Sequence, residues 1–395
     1  MCVHLSSSSV DAAEPALAPL PEPVVEPAAP PARVDRPGVR WGLAFLRSGG
    51  ATGAGSGGAT GAVAAALGPS LGGALVDAAG WRWVFFVNLA IGLPALIPAR
   101  RLLHEAREAE PGPLPDAVGV ALLVAGVALL SLGIVNGQDW GWGSTRVLGS
   151  LGAAAVVLVL FAVRSASHPA PVIEPALFRV RSFAVSNVGM FAFALGFYAF
   201  LLGNVLFLTG PWHYPVLKAG FSLTPGPLMA AVGATVGGRL ADRFGQRVVA
   251  LPGGLLFGVG GLGIAASVGP TPAYATEILP WLFLTGFGVG LSFSAWGSAS
   301  VAELAPSRFA TGGAIIGCVR QIGAVLGIAI LVAVIGTPDP SDPVGPFQDA
   351  WRLMALAGIT SGVLALGLGR VRARDPEAVS PAEEPAVAPA TALAS

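Results

Sequence analysis

Charged side chains are scarce in this chain. Asp, Glu, Lys and Arg make up only 11% of its 395 residues, where an ordinary soluble domain carries roughly a quarter. That shortage excludes a soluble globule of this size, because too little charge is present to coat its surface. Net charge is absent as well, with 22 basic residues balancing 22 acidic ones, so nothing points to a nucleic-acid partner. Cysteine is limited to Cys2 and Cys318, which can build neither a disulfide framework nor metal-ligand spacing. His4, His104, His168 and His213 are unclustered and fall outside the apolar runs; they read as surface residues, and no metal site is expected. No Ser/His/Asp arrangement or paired carboxylates occur at active-site spacing, which argues against an enzyme. The phosphate-cradling pattern GxxxxGK(S/T) is also lacking, which excludes a nucleotide-driven pump. The N-terminus has none of the features of a cleaved signal peptide: no basic start, no apolar run and no small-residue cleavage site.

Apolar residues are what the chain has instead, at 54% of the total, together with 55 glycines. Lipid is the natural solvent for such a composition, and glycine suits close helix–helix approach within it. Apolar runs recur at 57–76, 83–99, 117–136, 147–164, 183–209, 220–241, 248–269, 277–299, 310–335 and 349–369. Most approach the ~20 residues that cross a hydrocarbon core, so the chain reads as an all-α integral membrane protein of about ten transmembrane helices. Residues 1–56, rich in Pro, Ala and Gly, and the similar tail 371–395 are expected to be disordered. Within the former, the tandem GGATGAGS/GGATGA at 49–62 is low-complexity sequence.

The basic residues orient the spans. With the N-terminus inside, the inner segments collect Arg33, Arg36, Arg40, Arg47, Arg100, Arg101, Arg107, Arg164, Arg179, Arg181, Arg239, Arg243, Arg247, Arg308, Arg370, Arg372 and Arg374. Only Arg82, Arg146, Lys218 and Arg352 fall outside, and Arg320 lies within a span. The positive-inside rule therefore favours an even number of spans with both termini cytoplasmic. Trp81, Trp83, Trp140, Trp142 and Trp212 fall at outer borders, where an aromatic belt belongs.

Three features carry functional information. The first is Gly238, Arg239, Leu240, Asp242, Arg243, Gly245 and Arg247 at the inner end of the 220–241 run. Glycine permits a tight turn there and the arginines hold it at the membrane surface. Asp242 opposes the dipole at a helix C-terminus, so it should seek a cation or another helix's N-terminus. The second is Gly68, Pro69, Gly72 and Gly73 in the 57–76 run, a surface suited to close packing. The third is Arg320, the one charge well inside a span, and intramembrane charges are functional candidates by default. Asp77, Glu277, Glu303 and Asp349 all fall at span ends.

The first stretch resembles the loop signature of the major facilitator superfamily, with Gln246 where a second basic residue is usual. The second resembles the antiporter motif of that superfamily's drug:proton antiporters, with Ala64 where a glycine is usual. Further similarity to the fourteen-helix branch runs through Trp81–Asn88, Gly137–Trp142, Pro211–Pro227 and Arg320–Gln321. The resemblance implies that 57–99 is a remnant of the N-terminal half and that 100–182 holds two central linker helices with their cytoplasmic loops. It makes 183–370 a complete six-helix C-terminal half. By the same mapping the N-terminal half is incomplete: the family's first four helices are lacking, along with the acidic residue of its first helix.

The implied function is proton-coupled export of drugs or other amphipathic small molecules across the plasma membrane, by alternating access. Its partners would be a small organic substrate and the bilayer, with the proton gradient as energy source and no cofactor. A remnant without transport activity, or a small-metabolite importer or uniporter of the same fold, are the alternatives left open.

Overall fold

A computed structural model describes residues 68, 71–102, 116–305, 308–336 and 341–369. The expected disordered segments 1–56 and 371–395, most of the first apolar run and Pro69 lie outside the described residues. Helix is the regular structure of the described residues, which contain no strand. Its main helices are α1 (Leu71–Ala79), α2 (Trp83–Leu102), α3 (Ala117–Val135), α4 (Thr145–Ser167), α5 (Arg181–Thr209) and α6 (Val216–Leu223). They continue as α7 (Pro225–Phe244), α8 (Arg247–Ser267), α9 (Leu279–Val301), α10 (Phe309–Ile335) and α11 (Gly345–Leu364).

Each expected apolar run is largely helical where it is described, but the span count among the described residues differs from ten. Among the described residues, seven helices are long and apolar enough to cross a membrane, or eight if the bent pair Leu71–Ala79 and Trp83–Pro98 forms one span. Two physical causes account for the difference. Helix α7 is long enough at 20 residues, but it carries Arg239, Asp242 and Arg243 beside prolines and glycines. Helices α1 and α2 are separated by a 119° bend at Gly80 to Arg82, and much of the first run is undescribed. The run at 220–241 is also broken, at Thr224, because Pro225 starts a new helix.

Six long helices, α5 and α7 to α11, share one core. Helix α9 packs along α7 and α8, α8 along α11, α11 along α5, and α5 along α10. Glycine makes these approaches close. A Cβ on Gly286 or Gly290 of α9 would strike the backbone of Gly226 or Ala230 on α7, and one on Gly233 would strike the Phe287 carbonyl. Phe193, Phe207, Phe257, Trp296 and Trp351 fill the remaining space and are fully or almost fully buried. Their polar edges are satisfied internally, as lipid requires. Trp296 Nε1 donates to Ser361 Oγ at 3.0 Å, and Ser361 Oγ donates to the Gly189 carbonyl at 2.8 Å. Trp351 Nε1 donates to Asn204 Oδ1 at 3.0 Å.

Trp212 corrects the aromatic-belt expectation. It is buried and donates from Nε1 to the Gly269 carbonyl at 3.0 Å, whereas Trp81, Trp83 and Trp142 are exposed. Helices α3 and α4 pack on each other, and α3 reaches the bundle through α10. Gln138 Nε2 adds a hydrogen bond to the Ala333 carbonyl at 3.3 Å.

Candidate functional site

The loop signature lies at the end of α7. Gly245 has φ +91° and ψ 156°, a backbone conformation essentially restricted to glycine. Its N–H donates to the Ala241 carbonyl at 2.8 Å, closing the helix, and Gln246 is buried behind it. The turn thereby presents Arg239, Asp242, Arg243 and Arg247 outward, all exposed. None of the four makes an ion pair among the described residues. The cation that Asp242 was expected to seek is therefore not found among them. Arg243 lies over the Phe244 ring at 5.4 Å, as a side chain draped along the helix end.

The antiporter-like stretch behaves differently. Gly68 and Gly72 face open space, but Gly73 is buried. A Cβ at Gly73 would lie 3.3 Å from both Leu217 Cα and the Val216 carbonyl oxygen. Helix α1 thus meets α6 backbone to backbone, a contact only a very small residue permits. The structure brings Gly73 to Val216 and Leu217. Asp242 lies at the far end of α7, about 25 Å along the helix from Pro225.

Arg320 is half-buried in α10 and makes no hydrogen bond or ion pair among the described residues. The acids near it in sequence role are engaged elsewhere. Glu303 accepts from Ser182 Oγ at 2.6 Å, Glu277 accepts from the Gly269 N–H at 3.1 Å, and Asp349 pairs with Arg352 at 2.7 Å. No group of His, Cys, Asp or Glu able to hold a metal occurs among the described residues.

Sequence reasoning missed two ion pairs. Asp116, only 2% exposed, caps α3 by accepting from the Gly119 N–H at 2.9 Å and pairs with Arg164 of α4 at 2.8 Å. The Arg164 hydrogen bond holds the Asp116 carboxyl below its ordinary value of 3.8; burial opposes this, while the Gly119 N–H and nearby His168 assist. An Asp before an apolar run is an N-cap signal, but its partner 48 residues away is not readable from spacing. The second pair, Glu174 with Arg308 at 2.6 Å, fastens the α4–α5 connection to the start of α10.

Known proteins are similar to about two thirds of this chain. It is 29% identical over 265 residues to the "Multidrug resistance protein B homolog" of Mycobacterium tuberculosis, covering 67% of this chain and 49% of that one. It is 30% identical over 285 residues to the "Tetracenomycin C resistance and export protein" of Streptomyces glaucescens, covering 71% and 51%. The "Probable actinorhodin transporter" of Streptomyces coelicolor is 30% identical over 271 residues, covering 66% and 46%. The chain spans about half the length of these curated relatives. The Major Facilitator Superfamily profile matches residues 47–328 and 186–394. With that match across most of its length and a bundle of membrane-spanning helices, the chain is a multi-pass membrane protein belonging to the Major Facilitator Superfamily.

Proposed function

We propose that this chain takes part in proton-coupled export of drugs or other amphipathic small molecules. It works by alternating access, in the plasma membrane, with both termini cytoplasmic. The backbone contact of Gly73 with Val216 and Leu217 is the observation that best supports this reading. It brings the antiporter-like helix against main-chain atoms of α6 with no Cβ of Gly73 between them, a small-residue packing suited to relative movement of the two surfaces. The names of the relatives, which specify drug resistance and antibiotic export, support the same direction and substrate class.

In this scheme the glycine-rich turn at Gly245 is the gate. Its rigid backbone holds Asp242 and the flanking arginines at the membrane surface, ready to pair across the entrance in one state and release in the other. Arg320 is the interior charge that meets a carbonyl or carboxylate of the substrate or of a facing helix. Every described Asp and Glu lies near a helix end or in a loop, which leaves Arg320 alone in that position among the described residues. The chemistry is transport rather than bond making, and the proton gradient supplies the energy without a cofactor.

Inverted vesicles test this reading. Wild-type protein should take up a cationic dye when an imposed pH gradient is present and stop when a protonophore collapses it. Arg320→Ala should slow the gradient-driven uptake, as loss of a functional interior charge does. Asp242→Asn should insert normally and transport slowly; a wild-type rate would remove the gating role. No gradient-dependent uptake by correctly inserted wild-type protein would contradict the function.

A further inference from the structure

A cavity of about 420 Å³ opens where the chain leaves α4 and re-enters the bundle at α5. It has no part in the transport scheme above. Its position between the last turn of one span and the first of the next places it at a membrane surface whichever way the protein faces. Ser165, His168, Glu174, Arg179 and Arg308 contribute its polar lining, and three prolines stiffen its rim.

The donors outnumber the acceptors. Arg308 Nη1 holds both Glu174 oxygens, at 2.7 and 2.6 Å, which neutralises that carboxylate and fixes one guanidinium at the wall. Arg179 ends the 3₁₀ turn Pro175–Arg179 and has no ion-pair partner among the described residues, leaving the charged trio one positive charge in excess. His168 Nδ1 accepts from the Ala170 N–H at 3.1 Å, so its Nε2 is the nitrogen left to donate. Ser165 is 6% exposed, and its buried Oγ has no hydrogen-bond partner. A buried hydroxyl without a partner is costly, and Ser165 is among the residues that form the cavity wall.

The geometry points to an anion site here that takes a phosphate group, either the phosphodiester of a lipid headgroup or free phosphate. Arg179 and the unused N–H groups of Arg308 supply charge-assisted donors suited to phosphate oxygens. His168 Nε2 supplies a further donor. The volume is that of a small-molecule site, large enough for a phosphate with its attached glycerol. Basic pockets at this depth between spans are where headgroups are recognised.

Thermal unfolding of the purified full chain in detergent tests the site with three probes: dioctanoyl phosphatidylglycerol, dioctanoylglycerol and inorganic phosphate. The phosphodiester should raise the midpoint of unfolding saturably, and dioctanoylglycerol, which lacks the phosphate, should not. A response to the phosphodiester alone assigns the site to lipid; a parallel response to inorganic phosphate assigns it to the free anion. Arg179→Gln should raise the half-saturating concentration roughly tenfold, as loss of a charge-assisted contact does. Arg179→Lys should fall between the two. Arg179 is exposed and unpaired, so its variants should unfold like wild type without ligand. Equal responses from Arg179→Gln and wild type, a response to dioctanoylglycerol, or no response to either phosphate probe would overturn the assignment.

Discussion

Two regions of this molecule are built from similarly apolar helices and use them in opposite ways. Helix α3 is the most apolar of the candidate spans, yet only 17% of its apolar stretch is buried, and α4 buries 22%. Helix α8, and the α9 span with its preceding turn, each bury 56%. Apolarity therefore does not decide what is inside. In a bilayer, lipid tails are as good a solvent for Leu and Val as a protein interior, so there is no hydrophobic drive to hide them. In α8 and α9, burial goes with close approach of backbones. Helices α8 and α9 carry glycines against neighbouring main chain, whereas Gly126 of α3 faces side chains, those of Leu158 and Val157.

That contrast can be broken by adding one methyl group. Gly290→Ala places Cβ against the Ala230 carbonyl and Ala234 nitrogen, neither of which can move without shifting α7. It should destabilise the bundle by about 3 kcal/mol, the upper end for overpacking, read as a lowered unfolding temperature in detergent. Gly245→Ala comes next. Its Cβ is strained at φ +91°, at about 2 kcal/mol, and hydrogen exchange should quicken at the α7–α8 turn before anywhere else. Gly126→Ala sharpens the comparison from the other side. The Leu158 side chain can rotate away, and the gain in helix propensity, about 1 kcal/mol, offsets the repacking. Its unfolding temperature should stay close to wild type.

The smallest effect is a pH dependence confined to the peripheral pair. Because Arg164 lowers the Asp116 pKa, the folded state binds this proton less readily than the unfolded chain. The pair's contribution is then fully present above the ordinary value of 3.8 and is lost as pH falls through the lower folded value. Wild type and Asp116→Asn should differ in α3–α4 stability at neutral pH and converge in strong acid. A difference that persisted in acid would show that the pair does not act through ionisation.

The elements were far more legible than their contacts. The run 310–335 emerges as Phe309–Ile335 and the run 248–269 as Arg247–Ser267, because membrane thickness fixes length and apolarity fixes position. The break at Thr224 had a local signal in Pro225 and Pro227, but a continuous apolar pattern obscured it. Trp212 could not be placed from its border position, since burial depends on the fold of the loop that carries it. Of the candidate site, the glycine turn at Gly245 was readable because its geometry is local. The Gly73 contact with Leu217 and the Asp116–Arg164 pair join residues far apart in sequence, and spacing carries no information about them.

The account rests on α1 and the bundle moving against each other at the Gly73 contact, and a distance across that contact tests it most directly. Spin labels at Asp77→Cys and Phe221→Cys, both exposed positions, with Cys2 and Cys318 replaced by serine, report it by double electron–electron resonance. The account predicts two resolved distances whose populations exchange between acidic and neutral pH. One narrow distance, unchanged by pH or by a transported dye, would contradict it.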